Sequence, residues 1–198
     1  MIFKRLRAGI TVDDKEFDAM YPEPLKAISE FHFTPVQVAK KAAQYLVKQP
    51  GTTVLDIGSG AGKFCMVGAA STEGYFTGVE QRKSLHVLAK QLSERHELSN
   101  INYICLNITA LEFRQFEAVY FFNSFFENMS PCCAIDNSIR LDKQLYQIYS
   151  SYVKTQLRSM PAGTRLATYF SYSSEIPDSY KIQSTAFDGK LKLWEKVV

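Results

Sequence analysis

Long apolar runs are missing from this chain. The longest near its middle, Ala118 to Phe122, has five residues, whereas a membrane-spanning helix needs about 20. No membrane partner is therefore expected. Met1 to Ile10 is basic from the start and holds no apolar core of signal-peptide length, so no secretory leader is expected. Cysteines number four, none in a C-x-x-C pair, and His32, His86 and His96 are scattered. That spacing argues against a zinc site. Cys65 and Cys105 read as buried small hydrophobes. The adjacent Cys132 and Cys133 follow Pro131 in a loop, with no basic residue or histidine close by in sequence to activate a thiol. Free cysteines without an export signal point to the cytoplasm. Charge of one sign is also lacking. The balance is 23 basic against 20 acidic residues, a net +3. This is too mild for a dedicated nucleic-acid binder, so a nucleic-acid partner draws no support from charge. Lys4, Arg5 and Arg7 read as a solvated terminus. There is no internal repeat and no low-complexity stretch.

What is present is an ordinary globular composition, 46% hydrophobic and 22% charged over 198 residues, consistent with one domain spanning 1–198. Aromatics are in excess at 13%. Residues 1–50 read as an N-terminal lid and helix, and 51–198 as a core. The first 33 residues look irregular, with Pro22 and Pro24 as helix stops. Thr34-Pro35 has the form of an N-cap followed by proline at the first helical position. Val36, Val38, Ala39, Ala42, Ala43, Leu46 and Val47 then predict a helix ending before Pro50-Gly51.

Beyond it, strands and helices alternate. Strands are predicted at Thr52–Ile57, Tyr75–Val79 closed by Glu80, Ile101–Leu106, Ala118–Phe122 and Arg165–Tyr172. Helices are predicted at about Lys63–Ala70, Arg82–Glu97 and Ile139–Ser159, the last with Leu141, Leu145, Ile148, Tyr152, Val153 and Leu157 as its apolar stripe. Tyr180–Phe187, Asp188-Gly189 and Leu191–Val197 read as a hairpin. Alternation implies parallel βαβ units. The fold class is therefore α/β: a doubly wound, mostly parallel seven-stranded sheet with helices on both faces and a C-terminal antiparallel hairpin, expected to add one antiparallel strand at the sheet edge.

Such sheets bind ligands beyond the carboxyl ends of their strands. Here the first strand runs into Asp56-Ile57-Gly58-Ser59-Gly60-Ala61-Gly62, a glycine-rich turn that lets backbone approach a ligand closely. Glu80 ends the next strand, where a carboxylate accepts hydrogen bonds from both ribose hydroxyls. A dinucleotide fingerprint would need a third glycine at Lys63, and a P-loop would need Ser or Thr where Phe64 stands. A nicotinamide-dependent oxidoreductase is thereby disfavoured.

Residues 52–128 resemble the class I, seven-stranded S-adenosylmethionine-dependent methyltransferases. The resemblance implies that Gly58, Gly60 and Gly62 border the methionine part of S-adenosylmethionine. It also implies that Glu80, with Gln81 beside it, holds the ribose and that Asn107 borders the adenine through its carbonyl oxygen. Asp56 is either a cofactor residue or a structural carboxylate. Thr34, in Phe31-His32-Phe33-Thr34-Pro35, either bonds the cofactor carboxylate or simply caps a helix. Tyr21 and Glu23 are assigned to the same lid.

The methyl acceptor is expected at the end of the fourth strand, Asn123-Ser124-Phe125-Phe126. Enzymes that methylate amino groups of bases and glutamine carry [DN]-P-P-[FY] there. This sequence keeps Asn123 and an aromatic at Phe126 but lacks the prolines. In this element it resembles the non-SET, disruptor-of-telomeric-silencing class of histone lysine methyltransferases, and the wider similarity runs from about Thr34 to Phe170. The implied reaction is methyl transfer to an amine. Asn123 orients the acceptor, as an alternative to a plain turn role, and Phe125, Phe126 and Tyr21 wall the pocket. Other acceptors left open are a small metabolite or a nucleic acid, and a non-catalytic cofactor-binding subunit is a further alternative. The partner expected is an unknown protein or small-molecule acceptor.

Overall fold

The computed structural model of the protein describes residues 2–198; Met1 lies outside the described residues. Four helices precede the sheet: α1 (Ile2–Arg7), α2 (Asp14–Asp18), α3 (Glu23–His32) and α4 (Val36–Leu46). The sheet and its helices follow as β1 (Thr53–Ile57), α5 (Lys63–Ser71), β2 (Tyr75–Glu80), α6 (Lys83–Arg95), β3 (Ile101–Cys105), β4 (Ala118–Phe122), α7 (Lys143–Ser159), β5 (Arg165–Tyr169), β6 (Tyr180–Ala186) and β7 (Leu191–Lys196).

The seven strands lie in the order β3-β2-β1-β4-β5-β7-β6. From β3 to β5 every pairing is parallel, and β7 is antiparallel to both β5 and β6. The antiparallel strand is thus inserted between β5 and β6 rather than placed at the edge, which β6 occupies. The hairpin turn forms where expected. Lys190 donates its N–H to the Phe187 carbonyl, and Asp188 and Gly189 both have positive φ, the pattern that matches strand twist in a two-residue turn. Strand order reverses between β1 and β4, and there a crevice opens at the strands' carboxyl ends.

Alternation along the strands feeds two cores. Val54, Phe76 and Tyr120 face α4 and α5, whereas Leu55, Ile57, Val79, Val119, Phe121 and Leu166 face α7. Helix α5 is buried from Lys63 to Ala70.

The N-terminal segment departs from expectation. Residues 2–32 are largely helical. Pro22 stands at the N-cap of α3 and Pro24 inside its first turn, where a missing N–H costs nothing, so the prolines start a helix rather than stop one. A capping box between Asp13 and Glu16 begins α2. Phe3, Leu6, Val12, Phe17 and Tyr21 are buried against the core.

Thr34 does not cap α4. The N-cap position falls on Pro35, and the Asp14 carboxylate accepts the Val36 N–H at 2.8 Å instead. Helix α7 begins at Lys143, where Asp142 caps it. Leu141 therefore lies outside the helix, and Ile148 is exposed while Tyr149 is buried. Cys105, read as buried, is exposed, because β3 is an edge strand with only one neighbour. Among the described residues no helix is long and apolar enough to cross a membrane.

Candidate active site

A cavity of about 670 Å³ lies beyond the carboxyl ends of β1, β2 and β4, within the usual range for small-molecule sites. The β1–α5 turn forms its floor. Gly58 has φ +70, and a Cβ there would stand 2.6 Å from the Cβ of Ser124, so only glycine lets the acceptor loop approach this turn. Ser124 in turn donates its hydroxyl to the Ile57 carbonyl. Gly58, Ser59, Gly60 and Lys63 border the cavity. Gly62 does not. Its Cβ position points at Tyr103 Oη, 2.3 Å away, and at Ala89, so this glycine serves packing against β3 and α6 rather than a ligand.

Glu80 is buried at the end of β2. One carboxylate oxygen accepts the Gly60 N–H at 3.0 Å and the other the Arg82 N–H at 2.8 Å. Burial pushes its pKa up and these N–H groups pull it back. An ionised carboxylate offers about four lone-pair sites, so acceptor capacity remains on the cavity side. Asp56, on the adjacent strand β1, accepts the Cys65 thiol at 3.3 Å, and burial pushes its pKa up to about 7.

Gln81 and Asn107 line the same wall. The Asn107 amide NH₂ donates to Gln81 Oε1 at 3.1 Å and to Tyr149 Oη at 2.9 Å. Its Oδ1 accepts from Thr109 N and Oγ1, so the carbonyl oxygen expected to border an adenine instead caps the turn at Ile108–Ala110. Thr34 Oγ1 lies 2.9 Å from Tyr120 Oη, and both residues border the cavity.

At the end of β4, Asn123 has φ +35, a conformation Asn tolerates better than most residues. Its backbone carbonyl accepts the Phe126 N–H. Its side-chain Oδ1 is buried and has no hydrogen-bond partner among the described residues, while the residue borders the cavity. Phe126 is 39% exposed at the mouth, whereas Phe125 is 6% exposed and packs on Phe121 and Tyr149. Tyr21 stays off the cavity: it is buried against Phe17 and Phe33 and donates to the Ala61 carbonyl. Glu23 pairs with Lys26 in solvent. The lid reaches the cavity through Ile28, Glu30, Phe31, His32, Phe33 and Thr34.

Other residues shape the site without having been singled out from sequence. Lys63 is 2% exposed, and its Nζ lies 2.7 Å from both Asp14 and Asp18. A lysine opening an otherwise apolar buried helix was the available signal, since such a charge requires partners. Arg82, also buried, pairs with Glu127 at 2.6 Å and Asp136 at 3.0 Å. Glu127 also accepts the Ile135 N–H. Arg82 thereby clamps residues 127–136 over the cavity. His32 borders the cavity, and its imidazole makes no hydrogen bond among the described residues. Burial lowers its pKa, with Glu127 opposing that shift and Arg82 adding to it. Cys132 and Cys133 border the mouth.

Sheet order, glycine turn and the acid ending β2 together define a Rossmann-like methyltransferase. A family profile described as a methyltransferase domain matches residues 48–186, and the chain belongs to that family. No curated protein sequence matches the chain. Among solved structures with this fold is TrmN from Thermus thermophilus, with TM-score 0.63 and 16% identity over 86% of this chain and 51% of that one. A SAM-dependent methyltransferase from Aquifex aeolicus has TM-score 0.54 and 13% identity over 90% and 100%. One from Geobacter sulfurreducens, in complex with S-adenosyl-L-homocysteine, has TM-score 0.50 and 17% identity over 75% and 55%. The chain spans about half the length of TrmN.

Proposed function

We propose that this methyltransferase moves the methyl group of S-adenosylmethionine onto an amine-type acceptor, a protein side chain or similar group, seated at Asn123. S-adenosylmethionine, when bound, supplies a methyl group on a positively charged sulfur. The residues present suit it. The cavity has small-molecule size, Glu80 retains acceptor lone pairs for ribose hydroxyls, and Gly58 and Gly60 keep the floor free of side chains. Gln81 and Asn107 would flank the base, and Thr34 and Asp56 the amino-acid end. The Geobacter sulfurreducens neighbour holds the demethylated form of the same cofactor.

The observation that carries the acceptor class is the orphaned Asn123 Oδ1. An unpaired buried acceptor costs about 1–3 kcal/mol, and an incoming N–H removes that cost. Donation to Oδ1 fixes the nitrogen while its lone pair stays free to attack. Phe126 covers it at the mouth. An ammonium must first lose a proton, and His32, unbonded and held neutral by burial, accepts it. Positioning and exclusion of water do the rest.

The test is transfer of labelled methyl from cofactor into fractionated lysate, wild type beside Asn123→Ala. Label on nitrogen of protein or small amine is expected, with transfer about 100-fold lower in the variant and cofactor affinity unchanged. Undiminished transfer in Asn123→Ala overturns the assignment, and label on oxygen overturns the acceptor class.

A further inference from the structure

The adjacent thiols of Cys132 and Cys133 are absorbed by none of this chemistry. Both are exposed, both border the cavity mouth, and their Sγ atoms lie 3.8 Å apart. The Ser130 hydroxyl sits between them, 3.3 Å from one sulfur and 3.6 Å from the other. Their turn follows Phe126–Asn128 and precedes Ile135 and Asp136, which Glu127 and Arg82 hold in place. The pair is therefore presented on an anchored segment.

We infer that Cys132 and Cys133 form a dithiol site for a thiophilic trivalent metalloid, an arsenic(III) centre carrying one substituent of its own, at the mouth of the cavity. The two Sγ atoms lie 3.8 Å apart on neighbouring residues, so a modest approach of the sulfurs lets both bind one pyramidal trivalent centre. A zinc-type centre needs further protein ligands. Among the described residues no group of three or more His, Cys, Asp or Glu is placed to hold a metal ion. A centre satisfied by two thiolates is what remains. Hydrogen bonding from Ser130 and Cys133 lowers the Cys132 pKa, which favours the reactive thiolate.

With an organoarsenic oxide the step balances without oxidation. Two As–S bonds form, the As–O bonds break, and the oxygen leaves as water with the two thiol protons. Arsenic stays trivalent. Capture itself does not depend on the function proposed above.

The probe is phenylarsine oxide added to the reduced full chain and followed by intact mass. A single phenylarsenic adduct is expected, resistant to excess monothiol and removed by 1,2-ethanedithiol. Cys132→Ser and Cys133→Ser each lose the chelate and bind about 100-fold more weakly. Cys105→Ser, which removes the other exposed thiol, behaves as wild type. Both cysteines are exposed, so the serine variants fold, as a thermal melt verifies. An adduct that persists in the double Cys132→Ser, Cys133→Ser variant, or that monothiol strips from the wild type, overturns the site.

Discussion

The Lys63 ammonium lies 2.7 Å from the Asp18 carboxylate, 45 residues away in sequence, and this contact ties the N-terminal helices to the ligand turn. Lys63 opens α5, where the helix dipole already places positive charge, so a cation there needs acids facing it. Asp18 and Asp14 supply them, and Phe17 presents its ring 5.5 Å from Nζ. The lid that delivers Phe31, His32 and Thr34 to the cavity is thus held by one buried cation.

Replacing Lys63 by Met is expected to cost about 3 kcal/mol of stability, because it leaves Asp18 nearly buried without its partner. Asp14 is 47% exposed at its side chain and contributes less. Denaturant titration measures the loss. Limited proteolysis measures its location: cleavage should concentrate in residues 1–33 while the fragment from about residue 52 onward persists. Unchanged stability together with an uncut N-terminal segment refutes the tie.

Asp56 gives a pH signature with a definite sign. Burial pushes its pKa up to about 7, against about 3.9 in an unfolded chain. A raised acid leaves the folded state fully favoured below pH 4 and penalised as pH rises through 7, because the unfolded chain ionises this carboxyl at no cost. The stability difference between Asp56→Asn and wild type should therefore move in favour of the variant by about 3 kcal/mol between pH 5 and pH 8. Paired denaturation curves at the two pH values read this directly. A difference independent of pH shows that Asp56 ionises normally in the fold.

The central strands were legible because their pattern is local. In β1, β2 and β4, runs of β-branched and aromatic residues end at Gly58, Glu80 and Asn123, and the expected span of β4 matches the observed one. Gly58, Gly60, Glu80, Gln81, Asn123 and Phe126 all fall on the cavity. The glycine spacing alone did not reveal that Gly62 turns toward Tyr103, which depends on how β3 and α6 pack. The first 33 residues misled because α1 and α2 have six and five residues, too few to display a helical period. Their order comes from partners far along the chain, Lys63 above all. The activating context of Cys132, and the clamp between Arg82 and Glu127, likewise exist only after the 126–138 segment folds back over β2.

His32 supplies the last expectation. Burial lowers its pKa below the ordinary 6.5, and the facing charges, Glu127 and Arg82, act in opposite directions and are paired with each other. If neutral His32 accepts the acceptor's proton, kcat/KM falls on the acid side with a midpoint below 6.5, as the imidazole becomes protonated. His32→Gln removes that limb and slows transfer about 100-fold, while cofactor affinity stays as in the wild type. Nitrogen-detected NMR reads the same group without turnover. The chain has three histidines, so the His32 signal is assigned by its loss in the variant, and its titration midpoint should coincide with the kinetic one. An acid limb that survives His32→Gln, or a His32 still protonated at pH 7, removes it from the proton path and leaves Asn123 as the acceptor's only polar contact in the proposed reaction.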